Sequence, residues 1–218
     1  MNVENRIESH LRLGCISIAS LDMAGPFPQL EKRLEDLLRQ RTGELTEFED
    51  EFRIACRDML RIGSYKPTGR SKPASEYLLR AAANGDFPRI NPVVDLINYI
   101  SLKYLVPLSL WDMEKVKADS WLLRAGQREE SYLFNASGQT IALQDLATGY
   151  AVTQKHEQPI VNPVKDSLQT KTDEKTRKAG IVIYYPTHWA GEPSLEVILD
   201  ELTELAGFRG QVISVTTH

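Results

Sequence analysis

Residues 88–108 read PRINPVVDLINYISLKYLVPL and form one of the most apolar stretches of the chain. Pro92 suits the first turn of a helix, and Asn91 before it is a residue type that caps helix N-termini well. The helix should end near Tyr104, because Pro107 follows and lacks the backbone N–H that a continuing helix needs. The stretch therefore predicts a largely buried helix with defined ends.

A polar stripe runs along this otherwise apolar helix. Asn91, Asp95 and Asn98 follow one another at the spacing of successive turns on one helix face. A buried polar group without a partner costs about 1–3 kcal/mol, so these side chains must bind neighbouring loops or face a pocket. The spacing alone leaves both alternatives open: loop anchors around an N-cap, or a pocket in which a carboxylate acts as base or substrate anchor.

The bulk composition limits the class of protein. The chain has 218 residues, of which 42% are hydrophobic and 26% charged, the balance of an ordinary globular protein. Its net charge of −4 argues against general charge-driven binding to nucleic acid, so we expect no DNA partner, although a local basic patch is compatible with it. No apolar run approaches the roughly 20 residues of a membrane span, and the N-terminus does not resemble a secretory signal. We therefore expect a cytoplasmic protein without a membrane partner.

The cysteines and histidines of the chain give little indication of a disulfide bond or a metal site. Cys15 and Cys56 are the only cysteines, and both lie in apolar surroundings that are typical of buried thiols. The four histidines are scattered, and neither HExxH nor CxxC occurs. We therefore predict no metal site and no cofactor.

The remaining pattern predicts a mixed fold. Apolar residues at helical spacing predict helices within 26–41, 45–59, 73–83 and 194–206. Short apolar, β-branched or aromatic segments predict strands at 13–19, at 181–185, at the C-terminus and repeatedly between 121 and 153, whereas residues 159–178 look irregular. This order predicts one α+β domain with a mostly antiparallel β region.

A polar loop before the third helix has the residue types of an anion site. Tyr65, Lys66, Thr68, Arg70 and Lys72 supply three cations, a hydroxyl and an aromatic ring just ahead of a helix N-terminus. Backbone N–H groups and the helix dipole favour anions there, and a tyrosine ring can stack on a base. The loop is not a P-loop, because GxxxxGK[ST] is absent. These residue types fit a phosphate-binding loop and an ordinary solvated loop equally well.

Two segments together resemble a known family. The chain combines KPTGRSKPASE at residues 66–76 with PRINPVVDLINYISLKYLVPL and the following Trp111-Asp112 pair. This combination resembles the tRNA-binding and editing domain of the β subunit of bacterial phenylalanyl-tRNA synthetase, and more closely the stand-alone proteins built from that domain. The resemblance covers about residues 10–207 and is strongest from 61 to 116.

The resemblance implies a fold and a pocket. The expected architecture is a single α+β domain over residues 1–218, with two β-sheets of mixed topology packed like a sandwich and helices on one side. In the synthetase, the pocket of this domain hydrolyses tyrosine that has been wrongly attached to the phenylalanine tRNA.

The resemblance also implies site residues. The expected ligand pocket contains Arg89, Asn91, Asp95, Asn98, Ser109 and Asp112. Ser109, Asp95 and Asp112 are the catalytic candidates. Ser109 occupies the place of a histidine that takes part in editing in the synthetase, so that histidine chemistry does not carry over. The loop residues Tyr65, Lys66, Thr68, Arg70 and Lys72 are the expected RNA contacts.

Besides a structural interaction module, two functions are compatible with these features. The first is a tRNA-binding, editing-like protein, with tRNA or aminoacyl-tRNA as partner and trans-acting hydrolysis of mischarged aminoacyl-tRNA as its activity. We expect no ligase activity, because the motifs of class II catalysis and an ATP site are missing. The alternative is a binding protein for an amino acid or another small molecule that kept the fold without RNA or catalysis.

Overall fold

The computed structural model describes residues 1, 3–154 and 156–218, and this part of the chain contains five α-helices and ten strands. The helices are α1 (Pro28–Gln40), α2 (Glu47–Asp58), α3 (Ala74–Ala83), α4 (Pro92–Tyr104) and α5 (Leu195–Gly207). The strands are β1 (Val3–Asn5), β2 (Leu11–Ala19), β3 (Leu108–Asp112), β4 (Ser120–Ala125), β5 (Ser131–Leu133), β6 (Thr140–Ala142), β7 (Ala147–Val152), β8 (Glu157–Val161), β9 (Ala179–Pro186) and β10 (Gln211–Thr217). None of the described helices combines the length and the apolar character that a membrane crossing requires.

The strands form two larger sheets and one small hairpin. The first sheet has the order β10-β2-β9-β3, with every neighbouring pair antiparallel. The second has the order β1-β4-β7-β8, in which β1 runs parallel to β4 and the other pairs are antiparallel. Strands β5 and β6 pair separately. This arrangement confirms the predicted α+β fold of mixed sheet topology.

The two four-stranded sheets pack face to face, with helices on the outer face of the first sheet. Trp111 on β3 and Trp121 on β4 bridge the sheets with their ring centroids 5.0 Å apart. Helices α2, α4 and α5 contact strands of the first sheet. The first sheet is therefore the middle layer, and its inner strands must be apolar on both faces. All eight residues of β9 are buried, which explains its continuous apolar sequence.

Helix α4 has the ends that its sequence predicts. The Asn91 side chain accepts a hydrogen bond of 3.0 Å from the backbone N–H of Val94, so Asn91 is the N-cap. Leu105 ends the helix in the left-handed conformation at φ 56°, and Ser101 Oγ donates to the Val106 carbonyl at 2.7 Å. The chain then enters β3 directly, which brings residues 108–110 beside the first turns of α4.

The region predicted to be irregular, residues 159–178, is more ordered than expected. Strand β8 extends to Val161, and a short 3₁₀ turn forms at Leu168–Thr170. The expectation of an irregular segment is therefore wrong at both places. The apolar alternation in this region is too short to predict a strand, because β8 owes its conformation to pairing with β7.

A substitution at Gly14 tests the packing between helix α5 and the middle sheet. A Cβ at Gly14 would lie 2.9 Å from Leu195 Cδ1 and 3.0 Å from Leu199 Cγ of α5. We expect Gly14→Val to lower the free energy of unfolding by about 1–3 kcal/mol, because the added atoms overpack this contact. Urea unfolding measures the change, and Gly43→Ala is the control because a Cβ there meets nothing within 4 Å. Equal stability of the two variants would contradict the close packing.

Candidate functional site

A cavity of about 540 Å³ lies between α3, the start of α4, strand β3 and the segment 162–172. Most of its wall is apolar, with side chains such as Leu78, Val94, Ile97 and Leu110. The polar residues of the wall are Asn91, Asn98, Asn162, Lys165, Asp166, Lys171 and Thr172. An apolar cavity with a few converging polar groups is the usual form of a small-ligand site.

The carboxylate of Asp166 is the chemical centre of this wall. Its Oδ1 accepts hydrogen bonds from Ser109 Oγ at 2.6 Å and from the Asn162 backbone N–H at 3.3 Å, and its Oδ2 accepts from the Leu110 N–H at 3.2 Å. Burial raises the pKa of Asp166 to about 6, against the opposing effects of the Lys171 cation and of these hydrogen bonds. A carboxyl group with this pKa is ionised at neutral pH and is a stronger base than an ordinary aspartate.

Ser109 lies behind the cavity wall and supports Asp166. The serine is fully buried, and its hydroxyl also receives a hydrogen bond of 3.0 Å from Tyr184 OH. Burial raises the pKa of Tyr184 well above its ordinary value, so the tyrosine stays protonated and donates. Tyr184, Ser109 and Asp166 therefore form a chain of hydrogen bonds from the sheet interior to the cavity.

The polar stripe of α4 has two separate roles. Asn91 and Asn98 belong to the cavity wall, and Asn91 Nδ2 also donates to Thr172 Oγ1 at 3.2 Å across the cavity rim. Asp95 is not part of the wall: its Oδ2 accepts from Arg89 Nε at 2.9 Å and its Oδ1 from the Ile90 N–H at 2.8 Å. Asp95 thus ties the loop before α4 to the helix, while the two asparagines face the cavity.

Asp112 is also engaged away from the cavity wall. Its Oδ2 accepts from Thr176 Oγ1 at 2.6 Å, and its Oδ1 accepts from the Glu114 N–H at 2.8 Å at the end of β3. Of the six residues predicted for the pocket, the structure places Asn91 and Asn98 in the wall and Ser109 against Asp166. It places Arg89, Asp95 and Asp112 outside the wall, because each is held by a neighbouring loop or turn.

The polar residues of the predicted RNA loop differ in their exposure to solvent. Lys66, Thr68 and Arg70 are exposed, whereas Lys72 Nζ lies 3.6 Å from Glu76 Oε2. Tyr65 is half-buried against the core, and its hydroxyl donates to the Ser71 carbonyl at 2.9 Å. Burial raises the pKa of Tyr65 to about 12. The tyrosine therefore fixes the shape of the loop, and the cations form its outer surface.

Asp166 is the residue that sequence reasoning missed. It lies in KDSLQT, residues 165–170, a polar stretch that carries no periodicity and no motif. Only the fold shows that this carboxylate meets Ser109, which is 57 positions away in the chain.

Comparison with known proteins defines the family. The model of the B3/4 domain matches residues 62–190, which is more than half of the chain, so the chain belongs to the B3/4 domain family. This finding confirms the predicted relationship to the domain of the phenylalanyl-tRNA synthetase β subunit. No curated protein matches the chain.

Among the solved structures that are similar to the chain is a fragment of a synthetase subunit. It is an N-terminal fragment of the phenylalanyl-tRNA synthetase β subunit from Pyrococcus horikoshii, with a TM-score of 0.42 and 9% sequence identity. The match covers 100% of this chain and 50% of that chain, so the present chain spans half the length of that fragment.

The raised pKa of Asp166 makes stability depend on pH. Because the pKa in the folded protein is about 6 and the ordinary value is 3.8, the folded protein binds this proton more tightly than the unfolded chain. Its stabilising contribution is present below about pH 4 and is lost as pH rises through about 6. The stability advantage of the wild type over Asp166→Asn should therefore fall by on the order of 3 kcal/mol between these limits.

Urea unfolding at closely spaced pH values from 4 to 7 measures this difference. Asp200→Asn, which changes an exposed aspartate of α5, is the matched surface control. A wild-type advantage that stays constant or grows with pH would show that the Asp166 carboxyl is not held in a raised-pKa environment.

Proposed function

We propose that the protein binds the aminoacylated 3′ end of a tRNA and hydrolyses the ester of a wrongly attached amino acid, as a free-standing editing domain. The observation that carries the proposal is the Asp166 carboxylate, which lies in the wall of the cavity with its pKa raised to about 6. Membership of the B3/4 family supports the same type of substrate.

The cavity has the size and polarity for an aminoacyl group. Its volume of about 540 Å³ lies within the usual range of small-ligand pockets. The apolar side chains of Val94, Ile97 and Leu110 would surround the amino-acid side chain. The amides of Asn91 and Asn98 would bind the polar atoms of the ester and the terminal ribose. Arg89, Asp95 and Asp112 would act from outside the wall by holding the loops that shape it.

The proposed reaction is attack of water on the ester carbonyl. Asp166 takes one proton from water as the oxygen bonds to the carbonyl carbon. The carbon–oxygen bond to the ribose then breaks, and the leaving ribose oxygen takes the proton back from Asp166. The Lys171 ammonium group and the Asn98 amide can donate to the negative oxygen that develops on the carbonyl. Ester and water thus become a free amino acid and a tRNA with a free hydroxyl.

Ser109 is a positioning residue in this scheme. It holds one carboxylate oxygen of Asp166 at 2.6 Å and leaves the carboxylate in contact with the cavity. The position that carries a histidine in the synthetase thus contributes a hydroxyl here, and the base moves to Asp166.

The first test of this function is hydrolysis of mischarged tRNA. We expect wild-type protein to release the amino acid from at least one member of a panel that includes tyrosine on phenylalanine tRNA. Asp166→Asn should lower the rate about 100-fold or more while substrate binding is retained, because the amide cannot accept the proton from water. Asp200→Asn serves as the control and should keep the wild-type rate.

Two results would contradict this function. If the Asp166→Asn variant hydrolysed the ester at the wild-type rate, Asp166 would not be the general base. Binding of free amino acids without hydrolysis of any mischarged tRNA would make the protein an amino-acid binder instead.

The loop ahead of α3 is proposed as the contact to the tRNA backbone. Lys66 and Arg70 are exposed, Lys72 lies next to them, and Thr68 adds an exposed hydroxyl. Replacing Lys66, Arg70 and Lys72 by glutamine should weaken tRNA binding. It should also reduce the slope of log affinity against log salt concentration by about two to three, because fewer counterions are released.

Binding titrations across salt concentrations measure this slope. The control replaces Arg39, Lys117 and Arg128, three exposed cations elsewhere, by glutamine and so removes the same charge. An equal loss in both proteins would show that the loop makes no specific contact.

A further inference from the structure

A second concave site lies between α2 and α3, lined by residues that the candidate cavity does not use. This cleft has a volume of about 910 Å³. Its charged lining consists of the cations Arg41, Arg53, Arg57, Arg70, Lys72 and Arg80 and the carboxylates Asp50 and Glu76. Arg41 is paired with Glu49 at 2.5 Å, so six cations stand against three carboxylates, which leaves a local excess of three positive charges in a chain whose net charge is −4.

Glu76 is shared by three of these cations. Its carboxylate accepts from Arg57 Nε at 2.6 Å and from Arg53 Nη1 at 3.1 Å, and Lys72 Nζ lies 3.6 Å from it. One carboxylate therefore neutralises only part of the charge gathered around it. These bonds also fix the guanidinium groups of α2 in place, which prepares them to bind an anion without much further ordering.

Arg70 and Arg80 provide the positive charge that is not neutralised. Within the described part of the chain, no carboxylate oxygen lies within 4 Å of either guanidinium group. The Arg80 guanidinium lies 4.6 Å from the centroid of the Tyr77 ring, and Tyr77 is 44% exposed. The pair offers a planar, exposed surface beside the cationic floor of the cleft.

Helix α3 separates the cleft from the candidate cavity. Ala74 and Leu78 face the cavity, whereas Tyr77 and Arg80 face the cleft. A ligand in the cleft can therefore be tested without changing a residue of the cavity wall.

We propose that this cleft binds a nucleotide, with its phosphate on the arginines and its base stacked on the Tyr77–Arg80 pair. Arginine binds phosphate oxygens in a fork geometry, and planar aromatic and guanidinium groups stack on bases. The nucleotide is either free or part of an RNA strand, since both carry the same phosphate and base. The site is separate from the cavity of the proposed ester hydrolysis and stands whether or not that activity occurs, although Arg70 and Lys72 also belong to the loop proposed to contact the tRNA.

Calorimetric titration of the full chain tests the cleft. The probes are ADP, pyrophosphate, adenosine and a single-stranded RNA of about ten nucleotides. The variant Tyr77→Leu/Arg80→Gln should bind ADP or the RNA about tenfold more weakly or worse, because it loses one charged contact and the stacking surface. The control Phe208→Leu/Arg128→Gln removes an exposed ring and an exposed arginine elsewhere and should keep wild-type affinity. Thermal unfolding verifies that both variants fold.

The probes separate the sources of the nucleotide. Tight binding of ADP that the cleft variant weakens identifies a free nucleotide, and binding of the RNA alone identifies an RNA strand. Failure of ADP and the RNA to bind, or equal binding by variant and wild type, would overturn the proposal. Adenosine binding as tightly as ADP would exclude the phosphate contact, and pyrophosphate binding as tightly as ADP would exclude the stacked base. Deacylation assays report on the other cavity, so failure of one proposal does not count against the other.

Discussion

The hydrogen bond between Ser109 Oγ and Asp166 Oδ1 joins the two parts of the protein on which the candidate site depends. Ser109 belongs to β3 in the middle sheet, and Asp166 belongs to the segment that follows β8 of the outer sheet. The Leu110 and Asn162 backbone N–H groups bind the same carboxylate, so the charge is held by donors from both sides. These hydrogen bonds fix the cavity wall and lower the pKa of the Asp166 carboxyl, whereas burial acts in the opposite direction and raises it to about 6.

Much of the fold could be predicted because local rules agree with the tertiary structure. Asn91 and Pro92 start α4 in the way that capping chemistry requires, and the chain leaves the helix before Pro107. The apolar sequence of β2 and β9 follows from burial on both faces. Strand β8 could not be predicted, because it depends on pairing with β7 and not on its own residues.

The site could be predicted only in part, for a physical reason. Spacing placed Asn91 and Asn98 on the same helix face, since a helix face is a local property, and the structure has both in the cavity wall. The same spacing does not predict that Asp95 accepts hydrogen bonds from Arg89 and the Ile90 N–H instead of facing the cavity. These donors belong to the loop before α4, and the conformation of that loop is not a local property of the helix. Asp166 is brought to Ser109 by contacts between distant segments, and no sequence period encodes such a contact.

Titration of the Asp166 carboxyl carbon by ¹³C NMR tests the central claim most directly. The account predicts a midpoint near pH 6 for this group in the wild type. It also predicts a higher midpoint in Ser109→Ala, because the lost hydrogen bond had stabilised the charged form. A midpoint near the ordinary value of 3.8 in the wild type, or one that Ser109→Ala leaves unchanged, would contradict the account.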